Sequence, residues 1–381
     1  MGIRPAVLAI LATAPVLAAC TSSSPTTKPG SNSNGKADGT GSSDGSSAVS
    51  LQTAGQRVIY SYAGLTPPQA LLDAIAAGQV AGVIFFGENI SDEAQIADVV
   101  QQLRQAQQNS AVASPLLLMT DQEGGLVRRL PGEPTLSEQQ IGASSDPVSQ
   151  ATLAGTGAGQ NLRGVGMNLN LAPVLDVDYE SGDFIDQFQR SYGQDPSIVT
   201  ESGQAFITAQ QATGVAATAK HFPGLGSATK NQDTDAGPVT LNVSLSNLRS
   251  IDEAPYPAVI AAGVKLVMVS WAIYGWLDPS LPAGLSPVAV GSELRGRLGF
   301  QGVTITDALE AGALQNYGTT GERAVLAASA GMDLILCSSR DVAQGQEATA
   351  ALASAVDSGQ LDGATFSQAV DRVTALRNSL F

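Results

Sequence analysis

From about residue 51 onward, short runs of consecutive apolar residues alternate with longer stretches in which apolar positions recur at helical spacing. The runs VAGVIFF, PLLLMT, MNLNLAPVL, VAATA, KLVMVS, GVTIT and MDLIL have the composition of strands buried on both faces. Between them, EAQIADVVQQLRQAQQ, VTESGQAFITAQQA, APYPAVIAAG and PVAVGSELRGRLG read as amphipathic helices. Such alternation predicts βα units and a parallel sheet. Seven or eight units in about 330 residues suit a (β/α)8 TIM-type barrel, an α/β fold for which roughly 250 residues is typical, forming one catalytic domain over residues 51–381. A doubly wound open sheet is the competing architecture.

The residues directly after these runs add chemistry to that pattern. PLLLMT leads into Asp121, Gln122 and Glu123, VAATA into Lys220 and His221, GVTIT into Asp307, and KLVMVS into Trp271. In a parallel barrel the carboxyl ends of the strands converge on one rim, where active sites sit. A single such residue could cap the next helix. Four of them on one rim predict a polar pocket.

Composition narrows the partners. The formal net charge of −15 opposes binding to nucleic acid or anionic lipid through a basic surface, so the partner is neutral or weakly charged. One histidine and two distant cysteines, Cys20 and Cys337, exclude a histidine-cluster metal site and a zinc knuckle, and no metal or cofactor is expected. Residues 1–20, MGIRPAVLAILATAPVLAAC, combine an early arginine with an apolar stretch of secretory length. The LAAC ending resembles a bacterial lipobox, which implies cleavage before Cys20, acylation of its thiol and anchoring on the outer face of the cytoplasmic membrane. An ordinary cleaved signal with an incidental Cys20 is the alternative. Residues 21–50, rich in Ser, Gly, Thr and Asn, cannot bury enough apolar area to offset ordering and read as a flexible tether. Cys337, after MDLIL, is expected to be an inert buried thiol.

Five segments, DQEGGLVRRL, NLAPVLDV, RSYGQDP, KHFPG and ITDALEAGA, occur in that order. With them the chain resembles glycoside hydrolase family 3, in its single-domain β-N-acetylglucosaminidase branch. The resemblance implies a barrel enzyme that cleaves terminal β-linked N-acetylhexosamine, or a related β-glycoside of cell-wall or chitin type, with retention through a covalent intermediate. Asp307 matches the nucleophile, Asp121 the carboxylate that holds sugar hydroxyls, and Arg129, Arg190, Lys220 and His221 residues that contact the substrate. Paired donors and acceptors on arginine and carboxylate suit a polyol ring. Asp176 is expected to orient the rim without reacting, and Trp271 and Tyr274 to close the barrel top.

The chain departs from the branch in the loop after KHFPG. The branch carries a histidine where Leu225 stands, and a D-S-H triplet whose histidine is the acid/base; here the triplet is Asp233-Thr234-Asp235, two residues further on. Leu126 also stands where an arginine is usual. Three outcomes stay open: Asp235 serves as acid/base with Asp233 beside it, another residue or chain supplies the proton, or the chain is a lipid-anchored glycan-binding protein with lost or reduced catalysis. A turn that brings the two aspartates together would raise the Asp235 carboxyl toward neutrality, whereas in extended backbone they would share a face about 7 Å apart and couple weakly.

Overall fold

The computed structural model describes residues 49–380. Cys20 and all but the last two residues of the expected tether lie outside them. Those two are already engaged: the Val49 amide donates to Asp357 Oδ1 at 2.6 Å, and the Ser50 side chain caps the helix Leu51–Gly55.

Eight parallel strands form the centre: β1 Val58–Tyr60, β2 Gly82–Ile84, β3 Leu117–Thr120, β4 Leu169–Asn170, β5 Ala216–Phe222, β6 Leu266–Val269, β7 Val303–Thr306 and β8 Ile335–Leu336. Each pairs with its neighbour in sequence, β8 also pairs with β1, and a parallel bridge from Ile305 to Leu334 joins β7 to the start of β8. The expected (β/α)8 barrel is therefore the fold, and the open sheet is not. The first strand had no counterpart among the apolar runs. Only three apolar residues stand there, flanked by Arg57 and Ser61, which are buried all the same. The Arg57 guanidinium donates to the carbonyls of Met332 and Asp333, and Ser61 Oγ accepts the Arg340 amide, so both polar groups are satisfied inside.

Period-two alternation sorts the strand residues into two layers. Ile59, Leu117, Met119, Leu169, Leu266, Met268, Val303 and Ile305 fill the barrel. Val58, Tyr60, Leu118, Val267 and Val269 face the surrounding helices. The helix Glu93–Gln108 covers the whole of EAQIADVVQQLRQAQQ; Asp92 caps it, and Ile96, Val99, Val100 and Leu103 make its buried stripe. Helices Pro147–Gly164 and Pro196–Ala212 meet so closely that a methyl on Gly155 would lie 2.3 Å from the Phe206 carbonyl oxygen. β4 stops early because Pro173 has no N–H for the ladder. Bonding to β5 continues through the Ala172 and Pro173 carbonyls and the Leu175 amide, which donates to the Lys220 carbonyl at 2.7 Å and carries Asp176 to the rim.

Candidate active site

At the carboxyl ends of the strands lies a cavity of about 360 Å³. Its floor is the top of the barrel interior, Ile84, Leu171, Met268 and Leu336. Asp121, Arg129, Arg190, Lys220, His221, Asp233, Asp235 and Asp307 all line it, so the residues expected to react or to contact substrate reach one space, whereas Trp271 and Asp176 do not line it.

Lys220 sits near the end of β5, and its Nζ lies 2.8 Å from Asp121 Oδ1 and 2.6 Å from Glu123 Oε1. Arg190 grips Glu123 with two donors, Nε to Oε2 and Nη2 to Oε1, each at 2.9 Å. Burial works to raise the Glu123 carboxyl, but the charges of Arg190 and Lys220 outweigh it and hold it down at about 2. Burial likewise opposes the charge on Lys220, and Asp121 and Glu123 overcome it, leaving the amine above its ordinary value. Both cations are thus fixed with their charge. Glu123 had no role assigned from the sequence. The signal was available, since Asp121 and Glu123 are two residues apart and the intervening Gln122 turns away to bind the Leu130 and Glu133 carbonyls.

His221 is held by Asp176. Its Nδ1 is 2.7 Å from Asp176 Oδ2, while Asp176 Oδ1 accepts the amides of His221 at 3.2 Å and Leu225 at 2.8 Å. The Lys220–His221 peptide is cis. Beneath this layer, the Val174 amide donates to Glu138 Oε1 at 2.9 Å. Burial first, and then the charge of Glu123, pushes the Glu138 carboxyl well above the usual carboxylate range. No sequence pattern marked Glu138.

Asp307 closes β7, and its Oδ1 accepts the Ala308 amide at 2.7 Å. Trp271 is fully buried, does not line the cavity, and donates from Nε1 to the Ala308 carbonyl at 2.8 Å, which fastens the turn that follows Asp307. Tyr274, also buried, donates to the Gly224 carbonyl at 2.8 Å. Both aromatics fasten loops at the barrel top.

Of the two backbone conformations open from the sequence, the Asp233–Asp235 segment takes the turn. The Asp235 amide donates to Asp233 Oδ1 at 2.8 Å and the Ala236 amide to the Asp233 carbonyl at 3.2 Å, the asparagine-type turn that aspartate favours. The turn is stapled to the loop that follows Asp307 by Gly312 N–H to the Asp235 carbonyl and Ala313 N–H to the Thr234 carbonyl, both 2.9 Å. A side chain at Gly312 would lie 2.8 Å from the Asp235 oxygen, so only glycine permits the contact. Burial, then the charges of Asp307 and Asp233, raise the Asp235 carboxyl to about 6. The coupling expected for a turn is present, with both aspartates lining the cavity.

Arg129 also faces the cavity and has no acidic partner among the described residues; its Nε is buried without a hydrogen bond. Leu126 is exposed at the tip of the hairpin formed by Gln122–Gly124 and Val127–Arg128. Phe184, Phe188 and Arg340 complete the rim and were not legible as site residues, since they come from irregular loops.

Carboxylates set around an open cavity at the strand C-termini define a barrel glycosidase. The profile of the glycosyl hydrolase family 3 N terminal domain matches residues 54–376, and the chain belongs to glycosyl hydrolase family 3. It is 46% identical over 328 residues to an uncharacterized secreted glycosyl hydrolase of Arthroderma benhamiae, covering 86% of this chain and 93% of the relative. A beta-hexosaminidase of Stenotrophomonas maltophilia is 34% identical, covering 68% of this chain and 76% of that one. Among solved structures, a family 3 beta-N-acetylglucosaminidase from Paenibacillus superposes with a TM-score of 0.82 at 35% identity over 87% of this chain; the chain spans 63% of that longer protein. A beta-N-acetylhexosaminidase from Beutenbergia cavernae gives 0.79 at 34% identity, covering 86% of this chain and 98% of that one. The chain is a glycosidase of the β-hexosaminidase kind.

Proposed function

We propose that the chain hydrolyses terminal β-linked N-acetylhexosamine with retention of configuration, Asp307 acting as nucleophile and Asp235 as acid/base. The observation that carries this reading is that the two carboxylates line one cavity close enough for the charge of Asp307 to raise Asp235. In the first step an Asp307 oxygen bonds to the anomeric carbon, the bond to the leaving oxygen breaks, and Asp235 gives that oxygen its proton. In the second, Asp235 takes a proton from water, whose oxygen bonds to the anomeric carbon as the Asp307 carboxylate departs. Asp121, Lys220, Arg190, His221 and Arg129 would hold the sugar's hydroxyls and N-acetyl group.

The LAAC motif supports a lipid anchor at Cys20, with the enzyme on the outer face of the membrane. Cys20→Ser is expected to leave the membrane fraction, and a variant that stays membrane-bound contradicts the anchor. Hydrolysis itself is tested by trapping the wild-type protein with a fluorinated slow substrate and mapping the adduct. A glycosyl group on Asp307 is the expected result. An adduct elsewhere removes the nucleophile assignment, and sugar binding without turnover of any aryl β-glycoside indicates a binding protein.

A further inference from the structure

Arg57 and Arg377 are both fully buried, and neither makes an ion pair among the described residues. Arg377 is structural: its Nε, Nη1 and Nη2 are all taken, by the Pro115 carbonyl, the Gln56 side chain and the Ser114 carbonyl. Arg57 differs. Its Nε and Nη2 bind the carbonyls of Asp333 and Met332, but Nη1 has no hydrogen-bond partner among the described residues. Its guanidinium lies over the Phe366 ring, 4.4 Å from the centroid. Arg57 lines a cavity of about 250 Å³ together with Ser329, Met332, Gln360, Phe366 and Arg372. Met332 stands just before β8, which places this cavity at the amino ends of the strands, on the face of the barrel opposite the catalytic one.

Charge here is out of balance. Arg295 Nη2 binds Asp333 Oδ2 at 2.6 Å and Arg372 Nη2 binds Oδ1 at 2.8 Å, so two other guanidiniums already hold both oxygens of that carboxylate. The acid on the cavity wall is Asp362, and its Oδ1 is committed to the Thr365 amide and hydroxyl at 2.8 and 2.7 Å. Three guanidiniums thus meet two carboxylates, in a chain whose net charge is −15. Burial pushes the Arg57 guanidinium down to about 10; Asp333 works against that shift and Arg372 with it. A buried cation is costly until an anion pairs with it. Arg372 spends Nε and Nη2 on Asp333 Oδ1, so it too keeps an Nη1 without a partner among the described residues. Planar guanidinium donors match the paired oxygens of phosphate and carboxylate.

We propose that the cavity between Arg57 and Arg372 is a second binding site, separate from the catalytic one, for a small oxyanion of the phosphate or carboxylate class. It is tested by thermal unfolding of the full chain while sodium phosphate, or sodium malonate, replaces sodium chloride at constant ionic strength. A saturable rise in Tm of about 2 °C at ten times the Kd is expected with at least one of the two anions. General exclusion of such salts from the protein surface does not saturate and is shared by every variant. The saturable rise is expected to persist in Arg129→Gln, which removes a cation of the catalytic cavity, and to vanish in Arg372→Gln. Should Arg372→Gln fail to fold, Ser329→Asp decides: Ser329 is exposed on the cavity wall, and a carboxylate there is expected to abolish the response. No saturable rise in wild type overturns the site. So does a rise that survives the deciding variant, or one lost in Arg129→Gln, which would assign the anion to the catalytic cavity.

Discussion

The Asp176 carboxylate holds both the ring and the backbone of His221, with Nδ1 at 2.7 Å from Oδ2 and the amide at 3.2 Å from Oδ1. Arg190 Nη2 lies 3.4 Å from the other ring nitrogen. Arginine can only donate, so the arrangement assigns the imidazole hydrogen to Nδ1 and leaves Nε2 as acceptor. Asp176→Asn would turn an amide N–H toward Nδ1 and drive the hydrogen to Nε2, against Arg190. KM is expected to rise about tenfold with kcat less affected, since the loss is in positioning the sugar contacts. Asp176→Ala goes further, leaving the His221 and Leu225 amides unpaired inside, and is expected to cost about 2–4 kcal/mol in urea denaturation. Unchanged KM in the first variant and unchanged stability in the second would mean that Asp176 does not organise the rim.

Glu123 is enclosed by two cations and is itself buried, with Lys220 equally hidden. Glu123→Gln keeps the shape and removes the charge, so Arg190 and Lys220 face each other with Asp121 and the Asp176 charge left to compensate. Removing one partner of a buried pair costs about 3–5 kcal/mol. Denaturation of the variant is expected to show a loss of that order, together with weaker sugar binding. A loss below about 1 kcal/mol would mean that water or a rearranged Asp121 replaces the charge.

The barrel was legible because buried parallel strands read as unbroken apolar runs, and seven such runs each became a strand. β1 escaped because it offers only Val58, Ile59 and Tyr60 between polar residues whose partners, the Met332 and Asp333 carbonyls and the Arg340 amide, lie about 280 positions away. The rim was legible where chemistry sits at a strand end, as with Asp121, Lys220, His221 and Asp307. It was not legible where loops decide. Whether Asp233 and Asp235 couple depends on a turn that the Gly312 contact fixes and the sequence left open, and Glu138 and Phe188 carry no periodic signal at all.

The Asp235 carboxyl, raised to about 6, gives the reaction a pH signature. As general acid it must be protonated, so kcat/KM for an alkyl glycoside is expected to fall about tenfold per pH unit above pH 6, while an activated nitrophenyl glycoside loses far less. The stability effect has the matching sign. A carboxyl raised on folding binds its proton more tightly in the native state, so its contribution is full below the ordinary aspartate value of about 4 and is lost as pH rises through 6. Asp235→Asn is therefore expected to be at least as stable as wild type at pH 7.5. A pH profile identical for both leaving groups would remove Asp235 from proton transfer.

The most direct test of the two-carboxylate mechanism is the leaving-group dependence of Asp235→Ala. Turnover of substrates with basic leaving groups is expected to fall about 100-fold or more, the usual range for acid/base catalysis. Activated substrates are expected to accumulate glycosyl-enzyme, because deglycosylation has lost its base, and added azide to restore their turnover as the β-glycosyl azide. Equal loss on both substrate types with no rescue by azide would contradict the assignment and make Asp235 a structural residue of its loop.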